Sequence, residues 1–352
     1  MATLQCIAFV AVALWQQNVS AQTLYLTNQH VDLRLQYDGA ATGSNQLDVI
    51  LEYDQGQQAI NSQVYIVGNT NAKLTIPSNP NFAFLGPAGA PIWILPQSQN
   101  SALPFLGVSA EDIPLGVFDG AVDLELRSVE GPGNFFVWAV SGPGQPPIVK
   151  MIYTNGVVNQ TFNKTSPLVG SHEHCNWGFS TNGHYNITFR CVGRLAADSS
   201  TLVGKDVTWS FLILPLRPWE QWVSTNWPPA TPRAIAGPAA DPEGDGIVNV
   251  MEYALGLNPN APSLSGLPTA SIVTEWPNQF GALTFTRVKS ATDLVYLPSG
   301  RGALNGGVWD PLTNNVSVVD QGATETVTVR DHQPLSAAPQ RFQQLRVQWN
   351  YP

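Results

Sequence analysis

The fold class follows from residues 175–191, which read Cys175-Asn-Trp-Gly-Phe-Ser-Thr-Asn-Gly-His-Tyr-Asn-Ile-Thr-Phe-Arg-Cys191. Two alternating segments flank an Asn-Gly pair, which is a strong short-range signal for a β-hairpin. If residues 182–184 form the loop, Thr181 faces Tyr185 and the two cysteines lie directly opposite each other. Directly opposed cross-strand positions suit a disulfide. The segment therefore predicts a Cys175–Cys191 bridge, with two free buried thiols as the alternative.

Similar short alternating segments extend from this hairpin in both directions. They cover residues 31–37, 47–53, 122–127, 135–138, 187–190 and 207–214. Such strands, separated by turn residues, are typical of an antiparallel β-sandwich. The sequence therefore predicts a mostly β chain, with an antiparallel sandwich at residues 22–214. A short helical linker at 215–262 and a second small β domain at 263–352 follow it.

The linker contains a twelve-residue acidic segment, 241–252, that matches the calcium loop of EF-hand proteins. Its ligand positions hold Asp241, Glu243, Asp245, Asn249 and Glu252, which offer side-chain oxygens, and Ile247, which offers its backbone carbonyl. A sensor normally has a paired second loop, and the sequence has none. We therefore predict a structural calcium ion, with a solvated acidic interdomain loop as the alternative.

Composition and the N-terminus indicate an exported protein. Residues 1–21 contain an apolar run at 6–15, followed by Val19-Ser-Ala21, which resembles a signal-peptide cleavage site. No later stretch is apolar for long enough to span a membrane, so we expect no span in the mature chain. The formal net charge of −9 argues against a nucleic-acid partner. We predict a secreted, extracellular protein that associates with the cell surface.

Three histidines are candidate metal ligands. His172 and His174 are separated by one residue, so both project from the same face of a strand. Imidazole groups suit zinc or copper, and His30 joins them if its strand lies beside residues 172–174. The alternative is that the His-x-His pair only hydrogen-bonds loop carbonyls. Catalytic motifs such as His-Glu-x-x-His and Gly-x-Ser-x-Gly are absent from the sequence, so we predict no enzymatic activity.

Several motifs resemble a known family. They are Gln29-His-Val-Asp-Leu33, Gly86-Pro-Ala-Gly-Ala-Pro-Ile-Trp-Ile-Leu-Pro-Gln97, Gly131-Pro-Gly133 and Gly170-Ser-His-Glu-His-Cys-Asn-Trp-Gly-Phe179, continuing to Gly183-His-Tyr185. In this order they resemble the choice-of-anchor M domain, which is similar to an actinobacterial surface-anchored domain found beside metal-type ABC transporters. Residues 215–352 resemble a tail of exported Verrucomicrobia proteins, in which a calcium-type loop precedes a small β domain. The resemblance implies a secreted or surface β-sandwich.

These observations leave three function classes. The first is a non-enzymatic secreted or surface protein with a structural calcium loop and a role in binding or in the cell envelope. Its partner would be a cell-envelope component, another surface protein or a glycan. The second is a zinc- or copper-binding surface protein that uses His30, His172 and His174. The third is a carbohydrate-binding adhesin with exposed tryptophan platforms.

Overall fold

The computed structural model describes residues 23–349, apart from positions 55, 143, 264, 304, 306, 338 and 339. The leader predicted at residues 1–21 lies outside the described residues. Strands make up 50% of the structure and helices 11%, which confirms the prediction of a mostly β protein. No helix in the described ranges has the length and apolar character needed to cross a membrane.

The N-terminal half of the described chain is built almost entirely from strands. In chain order they are β1 (Leu24–Leu26), β2 (His30–Tyr37), β3 (Leu47–Tyr53), β4 (Gln57–Ala59), β5 (Val64–Gly68), β6 (Lys73–Thr75), β7 (Pro91–Leu95), β8 (Phe105–Ser109), β9 (Phe118–Glu130), β10 (Phe135–Ala139), β11 (Ile148–Thr154), β12 (Val157–Thr165), β13 (His172–His174), β14 (Asn176–Phe179), β15 (Gly183–Leu195) and β16 (Thr201–Ile213).

These strands form two sheets that share one hydrophobic core. Among the described residues, the larger sheet has the order β1-β5-β16-β15-β9-β12-β11-β10-β14-β7-β6, and the smaller one has the order β13-β8-β2-β3-β4. Most neighbouring strands are antiparallel, but β1–β5, β5–β16 and β2–β8 are parallel. In β2, Val31, Leu33 and Leu35 are buried, so the alternate residues point away from the core. This alternation places His30 and Asp32 on the outer face of the smaller sheet.

The predicted hairpin and disulfide at residues 175–191 are wrong. β14 pairs with β7 and β10, whereas β15 pairs with β9 and β16, so the two halves are not neighbours. Cys191 lies opposite Leu124 of β9, and both Cys175 and Cys191 are free and buried. The thirteen-residue strands β9 and β16 offer β15 far longer ladders than β14 does. Tertiary pairing therefore overrides the local turn signal, and burial raises the pKa of the Cys175 thiol to about 12.

The C-terminal part contains three helices and two smaller sheets within the described ranges. The helices are α1 (Pro218–Asn226), α2 (Arg233–Ala236) and α3 (Asn249–Leu255). The strands are β17 (Thr269–Glu275), β18 (Asn278–Val288), β19 (Leu294–Arg301), β20 (Asp310–Pro311), β21 (Asn314–Asp320), β22 (Thr324–Pro334) and β23 (Phe342–Trp349). They pair in the orders β17-β18-β22-β21 and β20-β19-β23.

The linker helices pack against the C-terminal sheets. Trp219 of α1 and Tyr253 of α3 share a cluster with Leu294 of β19, and Trp349 of β23 packs against it. α3 ends at Gly256, whose φ of 73° is left-handed and therefore favours glycine. Because α3 contains the last four residues of the predicted calcium loop, the geometry of that loop is tied to this packed cluster.

Candidate metal centres

The first candidate centre lies on the outer face of the smaller sheet, where β13, β8 and β2 run side by side. His174 is opposite Gly107 of β8, and Gly107 is opposite Asp32 of β2. His30 and Asp32 are two residues apart on β2, as His172 and His174 are on β13, so each pair projects to one face. Two segments distant in sequence, β2 and β13, therefore bring polar side chains together across the glycine of β8.

The three predicted histidines meet at this place. One ring nitrogen from each of His30, His172 and His174 lies within 4.8 Å of the other two. The Nε2 atoms of His30 and His174 are 3.2 Å apart. Metal–nitrogen bonds are about 2.0–2.1 Å long, so only small movements of the rings are needed for these nitrogens to bind one ion. The convergence expected for His30 with the His-x-His pair is present.

Contacts outside the cluster hold two of the rings in position. The ring of His174 stacks on Phe105 with a centroid distance of 3.5 Å and an interplanar angle of 8°. Burial, reinforced by the neighbouring His30 and His172 rings, lowers the pKa of His174 to about 4. Its imidazole is therefore neutral at physiological pH, which is the form that binds metals.

His172 has a carboxylate partner on its far side. Its Nδ1 lies 3.3 Å from Oε1 of Glu111, and Oε2 of Glu111 accepts a hydrogen bond from the Ser109 hydroxyl at 3.3 Å. A carboxylate on one nitrogen fixes the ring and leaves Nε2 as the nitrogen available to a metal. Glu173 faces away from the cluster, where it contacts Lys150 at 3.2 Å and the hydroxyl of Thr165.

Asp32 is a site residue that sequence reasoning missed. Its Oδ2 lies 3.7 Å from Nε2 of His30, and its Oδ1 is buried without a hydrogen-bond partner among the described residues. Burial raises the pKa of Asp32, against the opposing influence of His30 and His172. The signal was in the sequence: the spacing His30-x-Asp32 repeats that of His172-x-His174, and both predict side chains on one strand face.

The second candidate centre is the loop at residues 241–252. One carboxylate oxygen each from Asp241, Glu243 and Asp245 lies within 4.8 Å of the others. Asp241 closes the loop by accepting hydrogen bonds from the backbone N–H groups of Gly244 at 2.9 Å and of Gly246 at 2.9 Å. Asp245 accepts from the N–H groups of Ile247 and Ser263. The loop is thus folded around its acidic side chains.

Two residues of α3 complete this acidic group from the inside. Glu252 is fully buried, and neither of its carboxylate oxygens has a salt-bridge partner in the described part of the chain. Burial, together with the nearby Glu243 and Asp245, raises the pKa of Glu252 to about 8. Asn249 is also fully buried, and its Nδ2 donates to the carbonyls of Ile235 and Gly237. Its Oδ1 is left without a described partner.

The chemistry of this donor set fits a hard divalent cation. Both oxygens of Glu243 are buried like those of Glu252, the two carboxyl groups lie against each other, and no cation among the described residues forms a salt bridge with either of them. Burying such carboxylates is costly unless a positive charge compensates them. Oxygen donors from carboxylates and an amide are those that calcium prefers. Of the positions predicted from sequence, Asp241, Glu243 and Asp245 converge, and Glu252 lies close enough for their charges to raise its pKa.

The remaining histidines and the tryptophans lie elsewhere. His184 is in β15 beside Tyr65, and burial lowers its pKa to about 4. His332 is exposed and contacts the carbonyl of Pro311. Most described tryptophan side chains pack into the interior, and Trp276 is the one that is 90% exposed. A row of tryptophan platforms for sugars is thus not formed by the described residues.

Comparison with known proteins finds no match for this chain. No protein-family model matches the chain, and no curated protein matches it. The functional argument therefore rests on the geometry of the two candidate centres.

Proposed function

We propose that this chain is an exported, non-enzymatic β protein that binds a transition-metal ion of the zinc or copper type through His30, His172 and His174. The observation that carries the proposal is the convergence of three imidazole nitrogens from β2 and β13 within 4.8 Å. Export rests on the leader predicted from the sequence.

The donor type selects the class of metal. Imidazole nitrogen suits zinc and copper, whereas calcium and magnesium prefer oxygen. The low pKa of His174 and the carboxylate behind His172 both favour neutral, oriented rings. His30 and His172 are exposed, so an ion can reach the cluster from solvent.

We further propose that the 241–252 loop binds calcium as a structural clamp. The buried carboxylates of Glu243 and Glu252, which have no cation partner among the described residues, support this role. α3 carries Asn249 and Glu252 on its loop side and Tyr253 in the cluster that packs on β19. Calcium would therefore fix the linker against the C-terminal sheets, while the transition metal is bound at a separate place on the sandwich.

Metal binding is tested on tag-free protein, because an affinity tag of histidines would bind the same ions. Calorimetric titration with zinc is expected to show one tight site per chain, and His30→Ala and His174→Ala should each weaken it by about 100-fold or more, since a direct ligand is lost. His332→Ala removes an exposed histidine outside the cluster and serves as the matched control. Unchanged zinc affinity in His174→Ala, or no binding by the wild-type protein, would refute the proposal.

A further inference from the structure

We propose that Asp32 is the fourth ligand of the histidine site and closes it into a tetrahedral site of three nitrogens and one oxygen that holds Zn²⁺ without an exchangeable solvent position. The inference rests on the proposed function, because it requires that His30, His172 and His174 bind the metal. It adds the coordination number, the favoured ion and the consequence that the ion is held rather than used in catalysis.

The strand register places Asp32 at the cluster. Asp32 follows His30 by two residues on β2, so both side chains project from the outer face. Across the sheet, Asp32 and His174 flank Gly107 from opposite sides. The Asp32 carboxylate therefore faces His174 across β8, and it lies on the same strand as His30.

Two of the distances are close to edges of a tetrahedron. Metal–ligand bonds of about 2.0–2.2 Å at tetrahedral angles put neighbouring ligand atoms about 3.3–3.6 Å apart. The Nε2 atoms of His30 and His174 are 3.2 Å apart, and Nε2 of His30 is 3.7 Å from Oδ2 of Asp32. Both edges lie close to this range. Among the described residues of this site, only the three histidines have ligand atoms that all lie within 4.8 Å of one another, so the Asp32 carboxylate must move toward His172 and His174 when the ion binds.

Among the described residues, no lysine or arginine forms a salt bridge with Asp32. Arg34, the next outward-facing residue on β2, is paired with Glu52 and Asp112. The Asp32 side chain is only 13% exposed, and its Oδ1 has no hydrogen-bond partner in the described ranges. A shielded carboxylate of this kind is costly unless a positive charge compensates it, and a metal ion held by the neighbouring imidazoles would supply that charge.

Gly107 provides the space in which the two sides meet. A Cβ at position 107 would overlap Oδ1 of Asp32 and lie 3.0 Å from Cε1 of His174. The absence of a side chain in the middle strand thus lets a carboxylate from β2 and an imidazole from β13 reach toward each other over its backbone.

The fourth ligand determines what the site can do. Four protein ligands leave no open position for a water molecule or a substrate, which is the arrangement of closed rather than catalytic zinc sites. A carboxylate is also a poor ligand for Cu⁺, which prefers soft donors. The site therefore suits Zn²⁺ as a bound cargo or structural ion.

Co²⁺ is the probe of choice, because its visible absorption is intense in a tetrahedral site and weak in sites with more ligands. The wild-type protein is expected to give the intense spectrum, and added azide should leave it unchanged. Asp32→Ala should weaken Co²⁺ binding by at least about ten-fold and open a position, so that azide then shifts the spectrum. Asp48→Ala changes an acid of the same sheet that pairs with Lys205, and serves as the control.

The outcomes separate this inference from the proposed function. Wild-type protein that binds Co²⁺ but responds to azide has an open position, which overturns the role of Asp32 and leaves metal binding intact. An Asp32→Ala spectrum identical to that of the wild type would do the same. No Co²⁺ binding at all overturns both proposals. If Asp32→Ala does not fold, the azide response of the wild-type protein decides alone.

Discussion

The two candidate centres of this protein are built in opposite ways. The acidic centre is a single continuous segment of twelve residues, 241–252, whose last four residues belong to α3 and include its last two candidate side-chain ligands. The histidine centre is assembled from β2, β8 and β13, which are far apart in the sequence. A local loop can be folded around an ion by its own hydrogen bonds. A site across three strands depends on the register of a whole sheet.

The largest effect is expected from removing calcium, because the acidic loop includes the buried Glu252. Calcium at about 1,000 times its dissociation constant should stabilise the folded protein by roughly 4 kcal/mol, since it binds only the folded state. Glu252→Gln should remove most of that gain in a thermal melt with and without calcium. Glu275→Gln, an exposed acid outside the loop, is the control. An unchanged melting temperature on addition of calcium would show that the loop is an ordinary linker.

A smaller effect is expected from Gly107→Ala, which perturbs the sheet site without removing a ligand. The new Cβ would press on Asp32 and His174, and zinc affinity should fall by about ten-fold, equivalent to about 1.4 kcal/mol. Gly142→Ala adds a methyl group where no other atom lies within 4 Å, so its affinity should match that of the wild type. Equal zinc affinity in both variants would show that the middle strand does not shape the site.

The smallest effect concerns coupling between the centres. Glu252→Gln should change zinc affinity by less than about two-fold, because the two donor sets share no residue and sites without shared partners are usually additive. Calorimetric titration of the variant with zinc measures this directly. A large loss of zinc affinity would mean that the acidic loop itself binds the zinc, or that the loop affects the structure of the histidine site.

The difference between the centres also explains what could be predicted from the sequence. The acidic loop could be proposed as a calcium site from the sequence, because all its candidate ligands follow a fixed local spacing. The strands at residues 31–37 and 47–53 could be identified from alternation, and they are present as β2 and β3. The pairing of strands could not be predicted in this way. The Asn-Gly signal at 182–183 indicated a local hairpin, yet β15 pairs with the longer β9 and β16.

The same limit applied to the site residues. His172 and His174 could be paired from their spacing alone, whereas the approach of His30 depends on β13 and β2 flanking β8. Asp32 was missed because a single aspartate on a strand usually faces solvent. Only the register across Gly107 shows that its oxygen is shielded beside the histidines.

X-ray absorption at the zinc edge of tag-free protein loaded with one equivalent of zinc tests the central claim most directly. The histidine site predicts a first shell of nitrogen and oxygen atoms at about 2.0–2.1 Å, with the outer-shell pattern of several imidazole rings. The contradicting results are a shell of oxygen atoms without imidazole scattering, which would place the zinc in the acidic loop, or sulfur at about 2.3 Å, which would place it on the cysteines.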